Sequence, residues 1–370
     1  MHVPHELIIQ ILLRLPVKSL IRFKCVCKLW FSLISRNSHF ANSHFELTEA
    51  THNHRILFIS SSPHEFRSID LEASLDDDSA SASLNFNSML PQSFFLIEVK
   101  NSCRGFMFLH CFSNIYLWNP STGVHKQLPL SPIDSNLDAK YSSFVYGFGY
   151  DPSMDDYLVV SFSHDKSKTL ANISSHLEFF SLRSNTWKDI ECSGLVNYTH
   201  YVSMNAPEDR RVGLLFKGAI HWLTFRHDSS MHVIVAFHLV GQKLLEIYYP
   251  DEFYHEPIDC DLWVFREFFS LWAVEDDTVE IWVMKEYAVH SSWTKTLVLS
   301  TGAISTQYFS PICCTKSGKI IGTDGGTGLV KYDEKGDFLE HRLYCNNPCQ
   351  FQVAMYTESL LSLPCDNEQA

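Results

Sequence analysis

A weak repeat of a β-strand, a polar turn and a second strand constrains the fold of this chain more than any other feature. The second strand of the unit often carries an aromatic residue. The copies begin roughly 45–60 residues apart, which is the blade spacing of kelch-type β-propellers, although the spacing is too irregular to fix the number of blades. The copies are Ile115–Leu128, Leu177–Ile190, Ile234–Ile247, Val279–Leu297 and Gly328–Leu343.

The composition supports an all-β body behind a short N-terminal segment. Aromatic residues make up 14% of the chain, and aromatic and β-branched side chains pack well on a pleated sheet. Short apolar runs alternate with turn segments such as Asn119–Gly123 and Lys316–Gly318. Because closure removes exposed sheet edges, we expect the late segments Phe351–Tyr356 and Leu360–Leu363 to pair near the early strand Arg55–Ile59.

The N-terminal segment has a different, helical periodicity. One apolar stripe consists of Leu7, Ile8, Ile11, Leu12 and Leu15. Pro16 ends this helix, and two more short helices are predicted over Val17–Phe23 and about Val26–Ile34. Three short helices bury little surface by themselves, so we expect a partner to cover some of these apolar side chains.

Residues 60–93 are rich in Ser, Asp and Asn and contain Asp76-Asp77-Asp78. We interpret this stretch as a long polar loop, and an acidic docking or phosphorylation segment is the less favoured alternative. The sequence therefore predicts three regions. They are a helical module over 1–45, a connecting strand and flexible polar loop over 46–93, and a β domain over 94–370 that an early strand near 54–60 closes.

Charge is distributed unevenly along the chain. Residues 1–50 contain six Lys and Arg against three Glu, a net of +3, which leaves −16 for the remainder because the formal net charge is −13. A basic head and an acidic body suggest two different partners. An acidic body argues against nucleic acid, whose phosphates require bases. No apolar run approaches the ~18 residues of a transmembrane helix and no secretory signal is visible, so we expect no membrane contact and a location in the cytoplasm or nucleus.

No constellation of residues predicts catalysis or metal binding. The 11 cysteines fit buried thiols, and Cys313, Cys314, Cys345 and Cys349 lack the paired spacing of a zinc site. The glycine-rich segment Asp324–Gly328 lacks the Lys-Ser/Thr of a phosphate loop, so a tight turn between strands is the simpler interpretation. We therefore expect no cofactor, no metal and no catalytic residue.

Two parts of the chain resemble plant F-box/kelch-repeat proteins. Residues Pro4–Trp30, and above all the stretches LLRLPVKSL and RFKCVCKLW, resemble the F-box of that family. Downstream, Leu117–Thr122, Phe148–Pro152 and Asn185–Trp187 are similar to its F-box-associated interaction domain. The resemblance implies an α plus all-β multidomain chain, in which a small three-helix F-box precedes a kelch-type, β-propeller-like domain.

The resemblance also implies a function, that of the substrate-recognition subunit of an SCF-type cullin ubiquitin ligase. The F-box would dock a Skp-family adaptor and through it a cullin, and the β domain would capture an unknown protein substrate without catalysing a reaction. Loops near Asn197–Arg210 and Tyr249–Asp261 are the candidates for that capture, on a rim that the sequence does not identify. Carried over position by position, the adaptor contacts are Pro4, Leu7, Ile8, Ile11, Leu12, Leu15, Pro16, Val17, Leu20, Val26, Cys27 and Trp30.

Several alternatives stay open at this point. Leu20, Val26 and Trp30 could form only the internal core of the helices. The bases between Lys18 and Lys28 could steer the module toward an acidic adaptor or simply face solvent. A β-propeller enzyme and an F-box scaffold that acts outside a ligase are the competing functions.

Overall fold

The structure is a computed structural model, in which the described part of the chain contains four α-helices followed by 25 β-strands. Among the described residues, no helix combines the length and the apolar character needed to cross a membrane. The described residues are 4–50, 54–61, 64–71, 75, 81–84, 97–111, 114–132, 142–165, 175–190, 198–200, 212–255, 259–306, 308–325, 327–344 and 351–364.

The helices are α1 (His5–Leu12), α2 (Val17–Phe23), α3 (Lys28–Arg36) and α4 (Ser38–Ala50). The sequence predicts only three helices, and α4 corrects that prediction. The Asn37 side-chain oxygen accepts a hydrogen bond from the backbone N–H of Phe40 at 2.9 Å, which is how an N-cap residue starts a helix. Asn37 was therefore the available signal for α4, whose sequence SHFANSHFELTEA has only a weak apolar stripe.

The strands that the structure describes form six antiparallel sheets, which are the blades of a β-propeller. Blade 1 consists of β1 (His54–Ser61), β2 (His64–Asp70), β3 (Ser81–Leu84) and β25 (Phe351–Thr357). Blade 2 consists of β4 (Glu98–Cys103), β5 (Phe106–Cys111), β6 (Asn114–Trp118) and β7 (His125–Leu128). Blade 3 consists of β8 (Ser142–Asp151), β9 (Asp156–Asp165), β10 (Ser175–Ser181) and β11 (Thr186–Asp189).

The remaining three blades follow in chain order. Blade 4 consists of β12 (Tyr198–His200), β13 (Leu214–Phe216), β14 (Ala219–Arg226), β15 (Met231–His238) and β16 (Lys243–Tyr248), and both β12 and β13 pair with β14. Blade 5 consists of β17 (Cys260–Phe265), β18 (Phe268–Glu275), β19 (Thr278–Met284) and β20 (Trp293–Ser300). Blade 6 consists of β21 (Ser310–Cys314), β22 (Ile320–Thr323), β23 (Gly328–Tyr332) and β24 (Phe338–Leu343).

The ring closes through the pairing of the last strand with the first. β25 runs antiparallel to β1, from His54 opposite Thr357 to Ser60 opposite Phe351. The predicted pairing of Phe351–Tyr356 with the early strand is therefore confirmed. Leu360–Leu363 does not join that sheet, because the chain leaves β25 at Thr357 and its leucines are buried against the helices instead.

Blade 1 also corrects the prediction of one long polar loop over residues 60–93. Strands β2 and β3 lie in this stretch and extend the sheet outward from β1. Phe66 and Ile69 of β2 are both buried, but they are three residues apart and therefore face opposite sides of the sheet, where each joins a different apolar cluster. The sequence of β2 thus lacks the period-two apolar alternation that would have predicted a strand. Asp76-Asp77-Asp78 and residues 85–93 lie outside the described residues.

The antiparallel order divides the turns between two faces of the propeller. We call the strand of each blade nearest the central channel its first strand. Turns between first and second strands, and between third and fourth strands, lie on one face, which we call the F-box face. Turns between second and third strands, at 227–230, at 276–277 and after β22 at 324–325, lie on the opposite face, which we call the open face.

The helices and the propeller share one hydrophobic core on the F-box face. Leu12, Leu20 and Phe45 are buried in the same cluster as Phe106 of blade 2 and Tyr157 of blade 3. The segment after β25 joins that cluster through its leucines. The Asn119 side-chain amide donates to the carbonyl oxygens of Ser359 at 3.1 Å and Leu361 at 3.2 Å, which fixes this segment to blade 2.

Truncation after residue 345 tests the closure. The variant lacks β25, so the inner edge of β1 loses its paired strand and can pair with another molecule. We expect the variant to be insoluble while the full chain stays in the supernatant after centrifugation. Truncation after residue 364 is the control, because it removes none of the described residues. A soluble, monomeric 345-residue variant would contradict this account.

Candidate binding surfaces

One face of helix α1 is apolar and exposed. Pro4, Leu7 and Ile11 are spaced by three and four residues and therefore share a face, and Leu7 and Ile11 are 55% and 57% exposed. The next positions along the helix, Leu12 and Leu13, are buried in the shared core. Helix α1 is thus apolar on two sides, of which one is already covered.

The start of α3 presents further exposed apolar side chains. Val26 and Leu29 are more than half exposed, and Phe31 is also exposed. Neither Leu29 nor Phe31 is among the adaptor contacts predicted from the sequence. A helical spacing of apolar residues shows which ones share a face, but it does not show which face is covered. We call Leu7, Ile11, Val26 and Leu29 the exposed apolar set.

The predicted adaptor contacts fall into three groups. Those that are exposed are Pro4, Leu7, Ile11, Pro16, Val26 and Cys27. Those that are partly buried are Ile8, Leu15 and Trp30, and those that are buried in the shared core are Leu12, Val17 and Leu20. Trp30 packs on Phe23, with ring centroids 5.5 Å apart. The buried group already has an internal structural role.

The two candidate loops for substrate capture lie at blades 4 and 5. The first begins with β12, and the rest of Asn197–Arg210 lies outside the described residues. The second connects β16 to β17. The Tyr249 carbonyl oxygen accepts a hydrogen bond from His290 Nε2 at 2.9 Å, and His255 Nε2 lies 3.0 Å from Glu280 Oε2. Between these two anchors Tyr254 is 87% exposed.

A cavity of about 770 Å³ occupies the centre of the propeller and is lined mainly by first strands and the turns that follow them. Cys314 contributes a thiol to its wall. Burial raises the pKa of this thiol to about 11, so it is protonated at neutral pH and is not a ready nucleophile. Its neighbour Cys313 is buried, whereas Cys345 and Cys349 lie outside the described residues.

His255, Glu275 and Glu280 are the cluster in the described residues that most resembles a metal site. Glu280 is already neutralised, because Lys295 Nζ donates to its Oε1 at 2.6 Å and the Trp282 indole N–H donates to its Oε2 at 3.0 Å. Burial opposes ionisation of Glu280, but the hydrogen bonds from Lys295, His255 and Trp282 outweigh it and lower the pKa. The Lys295 ammonium group supplies the positive charge that a metal ion would bring to Glu280. We therefore interpret this cluster as a structural ion pair.

Asp324 illustrates a similar structural role on the open face. Its carboxylate accepts hydrogen bonds from the backbone N–H groups of Thr327 at 2.8 Å and Gly328 at 2.7 Å, and His341 Nε2 lies 2.9 Å away. These bonds hold the connection between β22 and β23. The glycine-rich segment Asp324–Gly328 is therefore an inter-strand turn, in agreement with the sequence analysis.

Comparison with known families agrees with both parts of this architecture. The family described as "F-box domain" matches residues 1–41, and the family described as "F-box associated beta propeller domain" matches residues 47–327. The chain is an F-box protein with an F-box-associated β-propeller. The family boundary lies inside α4, so this helix belongs to neither match alone.

Two relatives of this F-box protein come from Arabidopsis thaliana. An F-box/kelch-repeat protein is 26% identical over 90% of the chain and 88% of its own length. The F-box protein CPR1 is 27% identical over 97% of the chain and 88% of its own length. Among solved structures, dipeptidyl peptidase 4 of Porphyromonas gingivalis covers 78% of the chain and 46% of its own, with 8% identity and a TM-score of 0.38. A likeness at that level carries no argument about activity.

Among the described histidines of this F-box protein, His221 has the pKa that departs furthest from its ordinary value. It is fully buried on β14, where Nδ1–H donates to the Leu214 carbonyl oxygen at 3.1 Å and Nε2 accepts from the Tyr287 hydroxyl group at 2.7 Å. Burial lowers the pKa of His221 to about 4, against hydrogen bonds to backbone carbonyl groups that raise it. The imidazole is therefore neutral in the folded protein at neutral pH.

Stability should fall as the pH falls from 6.5 toward 4, because the unfolded chain then takes up a proton at His221 that the folded chain does not. The slope from this residue is at most about 1.4 kcal/mol per pH unit. Urea unfolding between pH 7 and pH 5 measures it. The slope should be smaller in His221→Gln and unchanged in His125→Gln, because His125 is exposed. Equal slopes in wild type and His221→Gln would contradict the assignment.

Proposed function

We propose that this protein is the substrate-recognition subunit of an SCF-type cullin ubiquitin ligase. The observation that carries the proposal is the exposed apolar set, on a helical module whose other side is buried against the propeller. Exposed apolar residues in one module favour a binding partner, and membership of the F-box family indicates a Skp-type adaptor as that partner.

The adaptor interface centres on Leu7 and Ile11 in this proposal. An apolar helix face with anchors spaced by three and four residues fits a groove on a partner. Pro4, Pro16, Val26 and Cys27 would extend the contact, and Leu29 joins them although it is not among the contacts predicted from the sequence. The remaining predicted contacts, which are partly or fully buried, would hold the helices in place for docking.

We further propose that the substrate is captured away from the helices, on the open face or the adjoining Tyr249–Asp261 connection. The helices occupy the F-box face near blades 2 and 3. Loops on rigid strands vary without disturbing the scaffold, which suits recognition of a particular protein. The adaptor and the cullin would then lie on the F-box side of the propeller. The captured protein would dock on the opposite side.

The competing functions make different demands on the chain. An enzyme would require acid, base or nucleophilic groups that converge on the channel. The described channel wall carries ionisable groups such as Glu98, Asp261 and Glu267 beside the protonated Cys314 thiol, so a test of turnover decides this alternative. A scaffold outside a ligase would bind the adaptor or a partner without ubiquitin transfer. Each alternative is an outcome of the experiments below.

The double variant Leu7→Asp/Ile11→Asp should lose the adaptor. Two charges buried without partners in an apolar interface should raise Kd at least about 100-fold, or about 2.7 kcal/mol. Surface plasmon resonance with purified adaptor measures the affinity, and the midpoint of thermal unfolding should stay close to wild type because both positions are exposed. Leu47→Asp is the matched control, since Leu47 is a 46% exposed leucine of α4. Undiminished binding by the double variant would refute the interface.

Leu15 is a less discriminating position for this test. Its side chain is partly buried against the shared core, and its carbonyl oxygen accepts a hydrogen bond from His44 Nε2 at 2.8 Å. A charge at Leu15 would therefore disturb folding as well as docking. Deletion of residues 1–45 has the same weakness, because it uncovers the shared core.

Reconstitution tests the function as a whole. Partners of the full chain are first captured with and without a proteasome inhibitor and identified by mass spectrometry. With adaptor, cullin and conjugating enzyme present, the wild type should transfer ubiquitin to a captured partner, and Leu7→Asp/Ile11→Asp should retain the partner but not support transfer. Capture without transfer by the wild type would favour the scaffold, and conversion of a small molecule without any captured protein would favour the enzyme.

A further inference from the structure

The turn between β4 and β5 has an unusual residue at its first position. Cys103 and Phe106 pair, so Arg104 and Gly105 form a two-residue turn, with φ of +49° and +82°. Both angles are positive, which is the geometry of a type I′ hairpin turn that Asn, Asp and Gly favour. An arginine at this position points to a role for its side chain.

The Arg104 guanidinium group lies between two aromatic rings from different parts of the molecule. Its carbon is 4.9 Å from the ring centroid of Phe45 on α4 and 4.2 Å from that of Tyr150 on β8. Its Nη2 donates a hydrogen bond of 2.7 Å to the side-chain oxygen of Asn42, one turn before Phe45 on the same helix. One side chain of blade 2 thus contacts both the helical module and blade 3.

The backbone beneath Arg104 is also fixed in place. A Cβ atom at Gly105 would lie 2.1 Å from the Cβ of Ser359, so the segment after β25 crosses directly against the turn. That segment is held to blade 2 by Asn119 and buried through its leucines. The turn therefore presents Arg104 from a rigid support.

Corresponding turns elsewhere in the propeller show what is particular to Arg104. In blade 4 the turn is Lys217-Gly218, and Lys217 Nζ lies 5.5 Å from the ring centroid of Phe216. In blade 5 the turn is Arg266-Glu267, and Arg266 lies 4.7 Å from the ring centroid of Phe265. Both cations also reach a neighbouring blade, because Lys217 Nζ lies 5.6 Å from the ring centroid of Tyr287 after β19, and Arg266 Nη2 donates to the Glu334 carbonyl oxygen of blade 6 at 2.6 Å. At Arg104 the helical module supplies a ring and a hydrogen-bond acceptor.

We infer that Arg104 is a positioning residue, which fixes the angle between the F-box helices and the propeller. The shared core resists separation of the two parts, because separation would expose apolar surface. Apolar contacts are not directional, whereas a guanidinium group held between two rings and bonded to Asn42 restricts rotation. A further consequence, which rests on the proposed function, is that Arg104 sets the distance between the captured protein and the end of the ligase that delivers ubiquitin.

Pulsed dipolar spectroscopy on the full chain, bound to its adaptor, tests the fixed angle. Spin-labelled noncanonical residues replace Glu46 on α4 and Val298 on blade 5, both of which are exposed. The wild type should give one narrow distance distribution. Arg104→Ala should broaden this distribution at least about twofold, because the helices can then rotate on the propeller. Arg104→Lys keeps the cation between the rings and should restore most of the width.

Lys217→Ala is the matched control. It removes a cation from the corresponding turn of blade 4, where Lys217 lies beside Phe216 of its own strand rather than beside the F-box helices. Its distance distribution should equal that of the wild type. If Arg104→Ala does not fold, Arg104→Gln provides the same comparison with a smaller change in volume. A narrow, unshifted distribution in a folded Arg104 variant without the cation would overturn the inference.

The ubiquitin-transfer assay separates this inference from the proposed function. Arg104→Ala should bind the adaptor with a Kd within about twofold of wild type, because none of the exposed apolar set is altered. It should nevertheless transfer ubiquitin about tenfold more slowly, and Arg104→Lys should restore the rate. Equal rates despite a broadened distribution would overturn the link between angle and transfer. If the wild type transfers no ubiquitin, the proposed function fails, whereas the distance measurement still decides whether Arg104 fixes the angle.

Discussion

The pairing of β25 with β1 is the interaction on which the rest of the structure depends. It makes a ring out of six blades that would otherwise end in two open edges. The Ser68 and Tyr356 hydroxyl groups hydrogen-bond at 2.8 Å across the same blade, and His54 Nδ1 lies 2.9 Å from the Thr357 hydroxyl group. Closure also determines where the chain goes next, because the strand ends on the F-box face and delivers the final leucines to the helices.

Because the segment after β25 packs against the helices, the F-box is not a separate domain that a flexible linker joins to the propeller. Helices this short bury too little apolar surface to be stable alone, and here blades 2 and 3 and the segment after β25 complete their core. Buried His44 is part of the arrangement: burial lowers its pKa, against its hydrogen bond to Leu15, which raises it. A neutral imidazole can thus join α4 to the turn after α1 without burying a charge.

The sequence predicted the elements whose signals are local. The five strand–turn–strand copies correspond to the third and fourth strands of blades 2 to 6, because each hairpin has its own turn residues. The number of blades could not be predicted, since blade 1 combines the first three strands with the last one and blade 4 has two short strands beside β14. In the helices, periodicity identified Leu7 and Leu12 alike as apolar, but only the position of the propeller distinguishes the exposed leucine from the buried one. The assignment of adaptor contacts stays a prediction.

Blade 1 also has a consequence for synthesis on the ribosome. The run Ile56–Ile59 on β1 emerges early, but its inner partner strand is encoded almost 300 residues later. At typical elongation rates, the edge of this apolar strand stays uncovered for on the order of tens of seconds. During that interval the uncovered edge can pair with another chain. The propeller, and the completed core under the F-box, form only when the last strand has left the exit tunnel, so prematurely terminated chains cannot close the propeller.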